Sequence, residues 1–270
     1  MSSAPATPAI DRSLVLRASP ERVWNALTRA EELSLWLGQG ADLRLEVGYD
    51  GWVEWDGHGR YPLRVVEVVA PSRFAFRWMN EPAEVIDLRR ATLVEWTLEP
   101  TASGGTLLRL RESGFDSMAG RTGNAVGWLG ELGDLLEFVA DDPGDVGVRR
   151  YWRVEAPAEA VWRAFSEPDR RGAWWDADQL AGRDGQRVEH VEPGTYLAWA
   201  WAPPGAPADP AHEISAEWGL EPMTDGQTAI RLLMTGFVGS QALHEAAAYV
   251  DDTAMPALLG LLAATPRRAG

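Results

Sequence analysis

The hydrophobic pattern of the first half of the chain predicts a helical segment near each of its ends. Residues 14–17 have the pattern of a short strand, after which Ser19 can cap a helix and Pro20 suits its first position. A second short helix is predicted to end near Trp36. The last helix is predicted from about residue 117 to residue 140, because its apolar residues recur at steps of three and four.

Between these helices the pattern changes to that of strands. Gly, Pro and Asp turns separate six apolar runs, at residues 43–47, 52–55, 63–69, 74–78, 93–98 and 106–111. Because the turns are short, consecutive strands are expected to pair antiparallel, and the last helix has to cover the apolar face of the sheet. The fold class predicted from this order is α+β.

The chain contains two copies of this pattern. Val-Trp-Asn-Ala-Leu-Thr at 23–28 returns as Val-Trp-Arg-Ala-Phe-Ser at 161–166, and Glu-Trp-Thr-Leu-Glu-Pro at 95–100 returns as Glu-Trp-Gly-Leu-Glu-Pro at 217–222. The first pair is spaced by 138 residues (23 to 161) and the second by 122 (95 to 217), so the second copy lacks 16 residues. The loss falls between residues 36 and 71. These matches predict a tandem duplication with one deletion.

The duplication predicts two domains, as does the length of 270 residues. Residues 1–12 are expected to be a flexible arm, residues 13–143 the first domain, and residues 144–265 a degenerate second copy. The boundary is placed in the turn-forming segment 141–147. Within the second copy, the Pro/Ala-rich residues 202–210 are predicted to form an extended loop.

Strand alternation gives each predicted sheet a polar and an apolar face. Glu95, Arg109 and Arg111 fall on the polar face, where a solvated ion pair between strands is expected. The apolar face is rich in tryptophan, of which the chain has 14, against 6 Phe and 5 Tyr. Such a face either fills its own interior or leaves a cavity for an apolar ligand. We expect a cavity, with the candidate ligand-binding residues Phe76, Trp78, Trp96, Leu108, Leu110, Gly123, Gly127, Trp128, Trp199, Trp201, Trp218 and Met234.

Two details of the first copy are relevant to this cavity. Four glycines recur at helical spacing in the last helix, at Gly120, Gly123, Gly127 and Gly130. The stripe either lets the helix pack closely on the sheet or forms a smooth wall beside a ligand. In the sheet, the aromatic residues at 74, 76 and 78 are matched to Tyr196, Trp199 and Trp201 of the second copy, the last two with a shift of one residue.

Glu112 is the candidate for acid–base chemistry. It follows Leu108 and Leu110 on the apolar face, where a carboxylate must be paired, protonated or bound to a ligand. The alternative is that Gly114 bulges the strand end and turns Glu112 to solvent. The second copy has Met234 at this position.

Composition and motifs exclude several classes of function. With 40 acidic against 25 basic residues and a net charge of −15, the chain is not expected to bind nucleic acid. It has no cysteine, and its four histidines lack the spacing of metal ligands. No phosphate-binding glycine loop or nucleophile motif occurs, so neither a metal nor a cofactor is expected. No apolar run is long enough for a membrane span and no signal peptide is recognised, so a cytoplasmic protein is expected.

The sequence also resembles a known superfamily. A strand, then A/S-P-x-x-V-W-x-A-L/F-T/S, then a tryptophan about a dozen residues on, is similar to the START/Bet v1-like superfamily (SRPBCC). Residues 66–78, 95–100 and 106–110, with Gly127-Trp128 before two leucines, resemble its branch of bacterial proteins similar to the activator of the Hsp90 ATPase. The resemblance covers about residues 13–140 and, more weakly, 150–262.

The resemblance implies two tandem helix-grip domains, each a curved antiparallel sheet around a long C-terminal helix that encloses a cavity for apolar molecules. Such relatives include lipid carriers, polyketide cyclases and aromatases, and self-resistance proteins, and they share no universal catalytic residue. The second copy departs from the pattern at Tyr249-Val250. It also carries Pro256 inside its last helix, so an open domain or a shortened helix is expected there.

We therefore predict that the protein binds an elongated apolar small molecule, such as a polyketide or an intermediate of natural-product biosynthesis, in a carrier, tailoring or self-resistance role. One pocket per copy is the simple prediction, and one cleft shared by both copies is the alternative. The first alternative function is a cyclase-like enzyme that acts on a polyketide with Glu112 as acid or base. The second is a cochaperone-like interaction module, although the sequence identifies neither a protein partner nor an oligomeric state.

Overall fold

A computed structural model of the chain describes residues 9–102, 104–140, 147–176, 187–202, 213–237 and 240–264. The chain divides into two compact units, Met1–Pro143 and Gly144–Gly270, called unit 1 and unit 2 below. Each unit has one antiparallel sheet and its own helices, which confirms the predicted α+β class with two tandem helix-grip domains. Most of the predicted boundary segment and of the Pro/Ala-rich loop, residues 141–146 and 203–210, lies outside the described residues.

Unit 1 follows the predicted order of a strand, two short helices, six strands and a long helix. Its elements are β1 (Ile10–Leu16), α1 (Pro20–Thr28), α2 (Ala30–Trp36), β2 (Gly40–Asp42), β3 (Asp50–Trp55), β4 (Gly59–Val69), β5 (Arg73–Trp78), β6 (Thr92–Pro100), β7 (Thr106–Ser113) and α3 (Met118–Val139). The strands lie in the order β1-β7-β6-β5-β4-β3-β2, and each neighbouring pair is antiparallel. The first strand therefore pairs with the last.

Two predicted details of these strands are wrong. β1 begins at Ile10, inside the segment predicted as a flexible arm. The sequence pattern did not show this start, because the buried Arg12 stands at the inward position between Ile10 and Leu14 and interrupts the alternation of apolar and polar residues. Residues 1–8 of that arm lie outside the described residues. Residues 43–47 form a loop rather than a strand, and they leave Leu45 and Val47 exposed.

The long helix α3 covers the apolar face of the sheet. Its N-terminus is capped by Ser117, whose side chain accepts a hydrogen bond from the Gly120 amide at 3.1 Å. The helix also contacts α1, α2 and β1. Its buried residues are Arg121, Ala125, Trp128, Leu129, Leu132, Gly133, Leu135, Leu136 and Val139.

Unit 2 repeats this architecture, with five strands in the part of the chain that the structure describes. Its elements are β8 (Val148–Val154), α4 (Ala158–Ser166), α5 (Pro168–Arg171), β9 (Arg187–Glu192), β10 (Tyr196–Trp201), β11 (Ile214–Pro222), β12 (Thr228–Thr235), α6 (Ser240–Tyr249), a π-helical turn (Val250–Ala254) and α7 (Met255–Ala263). The strand order β8-β12-β11-β10-β9 matches β1-β7-β6-β5-β4. Among the described residues, β2 and β3 have no counterpart, which agrees with the predicted position of the deletion.

Pro256 does not shorten the final helical segment of unit 2, contrary to expectation. α6, the π-helical turn and α7 follow one another without a gap from residue 240 to residue 263. Pro256 stands in the first turn of α7, directly after the π-helical turn has changed the backbone hydrogen-bonding pattern. The missing N–H of proline is tolerated at such a position, so the helix is irregular but complete.

One side-chain contact shows the duplication directly. In unit 1 the Trp36 indole Nε1 donates a hydrogen bond to the Ala26 carbonyl at 2.9 Å. In unit 2 the Trp174 indole Nε1 donates to the Ala164 carbonyl, also at 2.9 Å. Both residues of this pair are spaced by 138 positions in the sequence (36 to 174 and 26 to 164). The two copies therefore fix their first helices to the following segment in the same way.

Candidate functional site

The inner face of unit 1 brings together the aromatic residues that the sequence singled out. Trp78 and Trp128 stack with their ring centroids 5.4 Å apart, and Trp96 contacts Trp128 edge-to-face at 5.5 Å. Phe76 contacts Trp78 at 5.9 Å. Leu108 and Leu110 are also buried in this face. The strands β5, β6 and β7 thus supply one side of an aromatic interior, and α3 supplies the other.

Glu112 is completely buried at the end of this face and accepts hydrogen bonds from four neutral donors. Its Oε1 accepts from Trp78 Nε1 at 2.8 Å, from Thr92 Oγ1 at 2.6 Å and from Asn124 Nδ2 at 2.9 Å. Its Oε2 accepts from Trp128 Nε1 at 2.7 Å. The alternative in which Gly114 turns this residue to solvent is wrong. Gly114, with a φ of +88°, changes the chain direction two residues later.

These four donors determine what Glu112 can do chemically. Three of the donors bind Oε1 and one, Trp128, binds Oε2, which makes Oε2 the less occupied oxygen among the described residues. The geometry thus fits a buried acceptor that orients two indole rings. Sequence reasoning found Glu112 but not Thr92 or Asn124, because these lie on β6 and α3 and meet Glu112 only in the folded chain.

The interior of unit 1 contains a cavity with a volume of only about 10 Å³. That volume is close to the minimum needed for one water molecule, whereas pockets for small ligands have volumes of about 300 Å³ or more. The open cavity expected from the sequence is therefore not found at this place, because the large inward rings occupy the space. Of the predicted residues, Phe76 and Trp96 line it, together with Leu27, Leu33, Trp36, Leu37, Leu43, Val53, Leu63 and Phe74.

The glycine stripe of α3 points away from this interior. Gly123 and Gly127 are exposed, and a Cβ atom built at either position would have no neighbouring atom within 4 Å. A Cβ atom built at Gly130 would likewise have no neighbouring atom within 4 Å. On a helix with 3.6 residues per turn, these positions lie opposite the buried Ala125 and Leu132. Neither close packing on the sheet nor a wall facing the interior accounts for the stripe, so both interpretations are wrong for these positions.

Unit 2 has a larger aromatic cluster in the corresponding place. Trp199, Trp201 and Trp218 are completely buried, and Met234 is buried in the same core. Trp175, which the sequence analysis did not propose as a site residue, contacts Trp199 at 5.2 Å and Trp218 at 5.5 Å. The signal for it was the Trp-Trp pair at 174–175, where unit 1 has Trp-Leu at 36–37.

The sheet register defines the correspondence between the two interiors. In unit 1 one row of paired residues is Phe76, Val94 and Glu112, and in unit 2 the equivalent row is Trp199, Ala216 and Met234. Trp199 and Trp201 therefore take the places of Phe76 and Trp78, as predicted. Phe74 corresponds to Leu197 and not to Tyr196 as predicted, because the shift of one residue applies to the whole of β10.

Three indole groups of unit 2 lack a hydrogen-bond acceptor in the part of the chain that the structure describes. The Nε1 atoms of Trp175, Trp199 and Trp218 are buried and have no partner among the described residues. Tyr249 lies against Trp175 with its ring centroid at 5.7 Å, but its hydroxyl oxygen accepts from the Asp176 amide instead. Burial raises the pKa of the Tyr249 hydroxyl, which keeps this group neutral.

The outer faces of the sheets carry ion pairs and open grooves. Arg109 pairs with Glu99 at 2.9 Å and not with Glu95, because the register sets Glu95 opposite Arg111. Arg231 and Glu221 form the equivalent contact of unit 2 at 3.7 Å. A groove of about 840 Å³ on the outer face of unit 1 is lined by Asp50, Gly51, Trp52, Arg60, Pro62, Arg64, Pro82, Ala83, Glu84, Val85 and Ile86.

In the described part of the chain, no group of three or more His, Asp or Glu side chains is placed to hold a metal ion. Of the helices described, none is both long enough and apolar enough to span a bilayer.

Comparison with solved structures gives three examples of similar proteins. A crystal structure from Mesorhizobium loti has 25% identity and a TM-score of 0.43, covering 49% of this chain and 96% of that one. DynU16, a protein in the dynemicin biosynthetic locus, has 17% identity and a TM-score of 0.44, covering 94% and 97%. The Aha1 dimer from Colwellia psychrerythraea has 18% identity and a TM-score of 0.43, covering 49% and 96%. No curated protein sequence matches the chain.

The family comparison agrees with the duplication. The sequence profile described as Activator of Hsp90 ATPase homolog 1-like protein matches this chain twice, at residues 17–139 and at residues 155–256. Each match falls within one of the two units. The chain therefore belongs to the Activator of Hsp90 ATPase homolog 1-like family, as a tandem duplication of its domain.

Proposed function

We propose that the protein binds an elongated apolar small molecule of the polyketide class between the inner face of a sheet and the final helix of the same unit. The observation that carries this proposal is the set of indole rings on both inner faces. In unit 1 these are Trp78, Trp96 and Trp128, and in unit 2 Trp199 and Trp218. Flat apolar rings with an N–H at one edge can stack on a ligand and orient its polar atoms.

Binding in unit 1 requires movement, because its cavity of about 10 Å³ cannot admit such a ligand. The helix α3 is the element suited to move. Each glycine in a helix costs about 0.5–1 kcal/mol relative to alanine, and no neighbour fills the space left at Gly123, Gly127 or Gly130. The helix that closes the interior is therefore weaker than its length implies.

Thermal-shift measurements with polyenes, polyketides and fatty acids test this proposal. A bound ligand should raise the unfolding temperature in a saturable manner, by mass action. Replacing both Trp128 and Trp218 by leucine should abolish the rise, since Trp128 lies between two inward rings of unit 1 and Trp218 is buried on the inner face of unit 2. Trp52→Leu is the matched control, because Trp52 lies in the outer groove and its loss should leave the rise unchanged. No rise with any ligand of the panel would contradict the proposal.

A cyclase-like enzyme is the second candidate, and the placement of Glu112 favours it. This carboxylate is buried among aromatic rings, and its Oε2 accepts only from Trp128 among the described residues. A general acid or base needs such a position beside the reacting atoms. If unit 1 turns over a polyketone, Glu112→Gln should abolish turnover and retain binding. Equal turnover in the variant would remove this candidate.

A protein-interaction module is the third candidate, favoured by the filled interior of unit 1 and by the family's description. The outer groove with Trp52, Arg60 and the exposed Val85 offers a surface for it. Titration calorimetry of the full chain with an Hsp90-type chaperone tests this role. Binding that Val85→Asp weakens would support it, and absence of binding would exclude that partner.

A further inference from the structure

The interior of unit 2 contains three buried hydrogen-bond donors without acceptors. The side chains of Trp175, Trp199 and Trp218 are 4%, 0% and 0% exposed. Their Nε1 atoms have no partner among the described residues. The three rings contact each other, with centroid separations of 5.2, 5.5 and 6.1 Å. The large majority of buried polar groups in proteins have a hydrogen-bond partner, so three exceptions in one cluster require an explanation.

Unit 1 shows how this fold satisfies inward indoles. There, Trp78 and Trp128 both donate to the carboxylate of Glu112. In unit 2 the position of Glu112 in the sheet register is taken by Met234, which offers only a weak acceptor. At this register position unit 2 therefore has no carboxylate that could accept a hydrogen bond from an indole.

Unit 2 has also gained indoles at two of the three positions. Trp199 stands in the register where unit 1 has Phe76, and Trp175 stands where the repeat alignment has Leu37. A phenyl ring or an isobutyl group would fill these places without adding a donor. Three donors in a core without an acceptor lose their hydration and gain nothing in return within the described structure.

We infer that the interior of unit 2 binds a planar molecule whose carbonyl oxygens accept hydrogen bonds from these indoles, such as a quinone or a polycyclic ketone. The inference rests on the proposed function and specifies its site and ligand chemistry. The described core around the three rings is apolar, and Arg171, which packs over the Trp199 ring at 5.5 Å, is half-buried. A neutral carbonyl suits such surroundings, because moving an ionised carboxylate out of water costs far more free energy than moving a neutral carbonyl.

The matched probes are 1,4-naphthoquinone and naphthalene, which share a ring system and differ in two carbonyl oxygens. All 25 basic residues are arginine and no cysteine is present, so the quinone meets neither a thiol nor a lysine amine. The full chain is labelled with ¹⁵N at the indole nitrogens and titrated with each probe. Variants with single Trp→Phe substitutions assign the three resonances.

The expected result is that naphthoquinone shifts the indole proton resonances of Trp175, Trp199 and Trp218 downfield. It should also bind about tenfold or more tightly than naphthalene, because each hydrogen bond to a buried donor replaces an unsatisfied group. Trp199→Phe restores the residue type of unit 1 and should weaken naphthoquinone binding severalfold while leaving naphthalene binding unchanged. Trp52→Phe, in the outer groove of unit 1, is the control and should change neither.

Met234→Glu provides a second route if a tryptophan variant fails to fold. The new carboxylate should shift the indole resonances without ligand and abolish naphthoquinone binding. Equal affinity for both probes with unmoved indole resonances would overturn the inference and leave the proposed function standing. Binding of neither probe, together with no thermal shift across the wider ligand panel, would overturn both.

Discussion

At the scale of single residues, Glu112 shows how much of the interior depends on one carboxylate. It satisfies the indoles of Trp78 and Trp128 at once, so its removal leaves two buried donors without an acceptor. The net attraction within such a buried network is modest. Its contribution to stability appears when one group is removed, because the partners that remain buried then lack a hydrogen bond. The energetic effect of a substitution therefore depends on which acceptors remain.

We predict that Glu112→Ala lowers the free energy of unfolding by about 3–5 kcal/mol, the range typical of a broken buried network. Glu112→Gln should cost less, since its amide oxygen can still accept from one indole. Urea unfolding followed by circular dichroism measures both. Glu99→Ala is the control, because the exposed Arg109–Glu99 pair contributes at most about 1 kcal/mol. A change of less than about 1 kcal/mol for Glu112→Ala would contradict this description of the network.

Tyr249 carries the pH-dependent prediction. Its pKa is raised, first of all by burial, so the folded chain favours the neutral hydroxyl more than the unfolded chain does. The corresponding stability is present below a pH of about 10 and is lost as the pH rises through the folded pKa. In Tyr249→Phe this loss of stability at alkaline pH should be absent. Absorbance at 295 nm should show one tyrosine fewer among those that deprotonate at high pH. An identical alkaline decline in variant and native protein would contradict the prediction.

The sequence was sufficient to predict which tryptophans face inward, but not which side chains form hydrogen bonds with Glu112 beside them. Alternation along single strands was sufficient to place Trp96, Leu108 and Leu110 on the inner face. The donors around Glu112 come from separate elements, and no local pattern encodes that meeting. Trp175 was missed for a related reason: its importance depends on an unsatisfied indole nitrogen, which only the packed core reveals.

At the scale of elements, α3 combines a buried stripe with an exposed face rich in glycine. Helical periodicity predicted its length well, since the apolar steps continue from Ala125 to Val139. The same periodicity did not assign a role to the glycines, because a glycine contributes no side chain that marks a face as inner or outer. That Gly123 and Gly127 are exposed becomes clear only when their positions around the helix are compared with those of the buried residues.

We predict that Gly127→Ala raises the free energy of unfolding by about 0.5–1 kcal/mol, because it restores helix propensity without a clash. The same variant should weaken ligand binding in unit 1 if opening of α3 admits the ligand. Gly114→Ala is the contrasting control, since its φ of +88° disfavours a Cβ and the variant should be destabilised. A less stable Gly127→Ala protein would mean that a surface packs on this side of the helix.

The strands were predicted where alternation is regular and missed where it is not. The loop at 43–47 has apolar residues of the right type, yet Leu45 and Val47 face solvent, so composition alone misled the assignment. In β1 the buried Arg12 interrupts an otherwise regular pattern. Residues 43–47 thus form no strand although they are apolar in type, whereas β1 forms in spite of its buried polar residue.

At the scale of the whole molecule, duplication followed by divergence explains the differences between the units. Among the described residues, the strands of unit 1 without a counterpart in unit 2 are the edge strands β2 and β3, and a sheet can lose edge strands without disturbing its inner pairs. The inner face diverged as well, with Met234 in place of Glu112 and additional indoles in unit 2. We propose on this basis that the two units differ in the ligands they accept.

The central claim, that the interior of this protein accommodates an apolar guest, is tested most directly by native mass spectrometry of the full chain with the same panel of polyenes, polyketides and fatty acids. We predict a saturable adduct of at least one ligand per chain. The adduct should disappear when Trp128 and Trp218 are both replaced by leucine, and it should persist in Trp52→Leu. Detection of only the unliganded chain up to the solubility limit of every compound would contradict the claim.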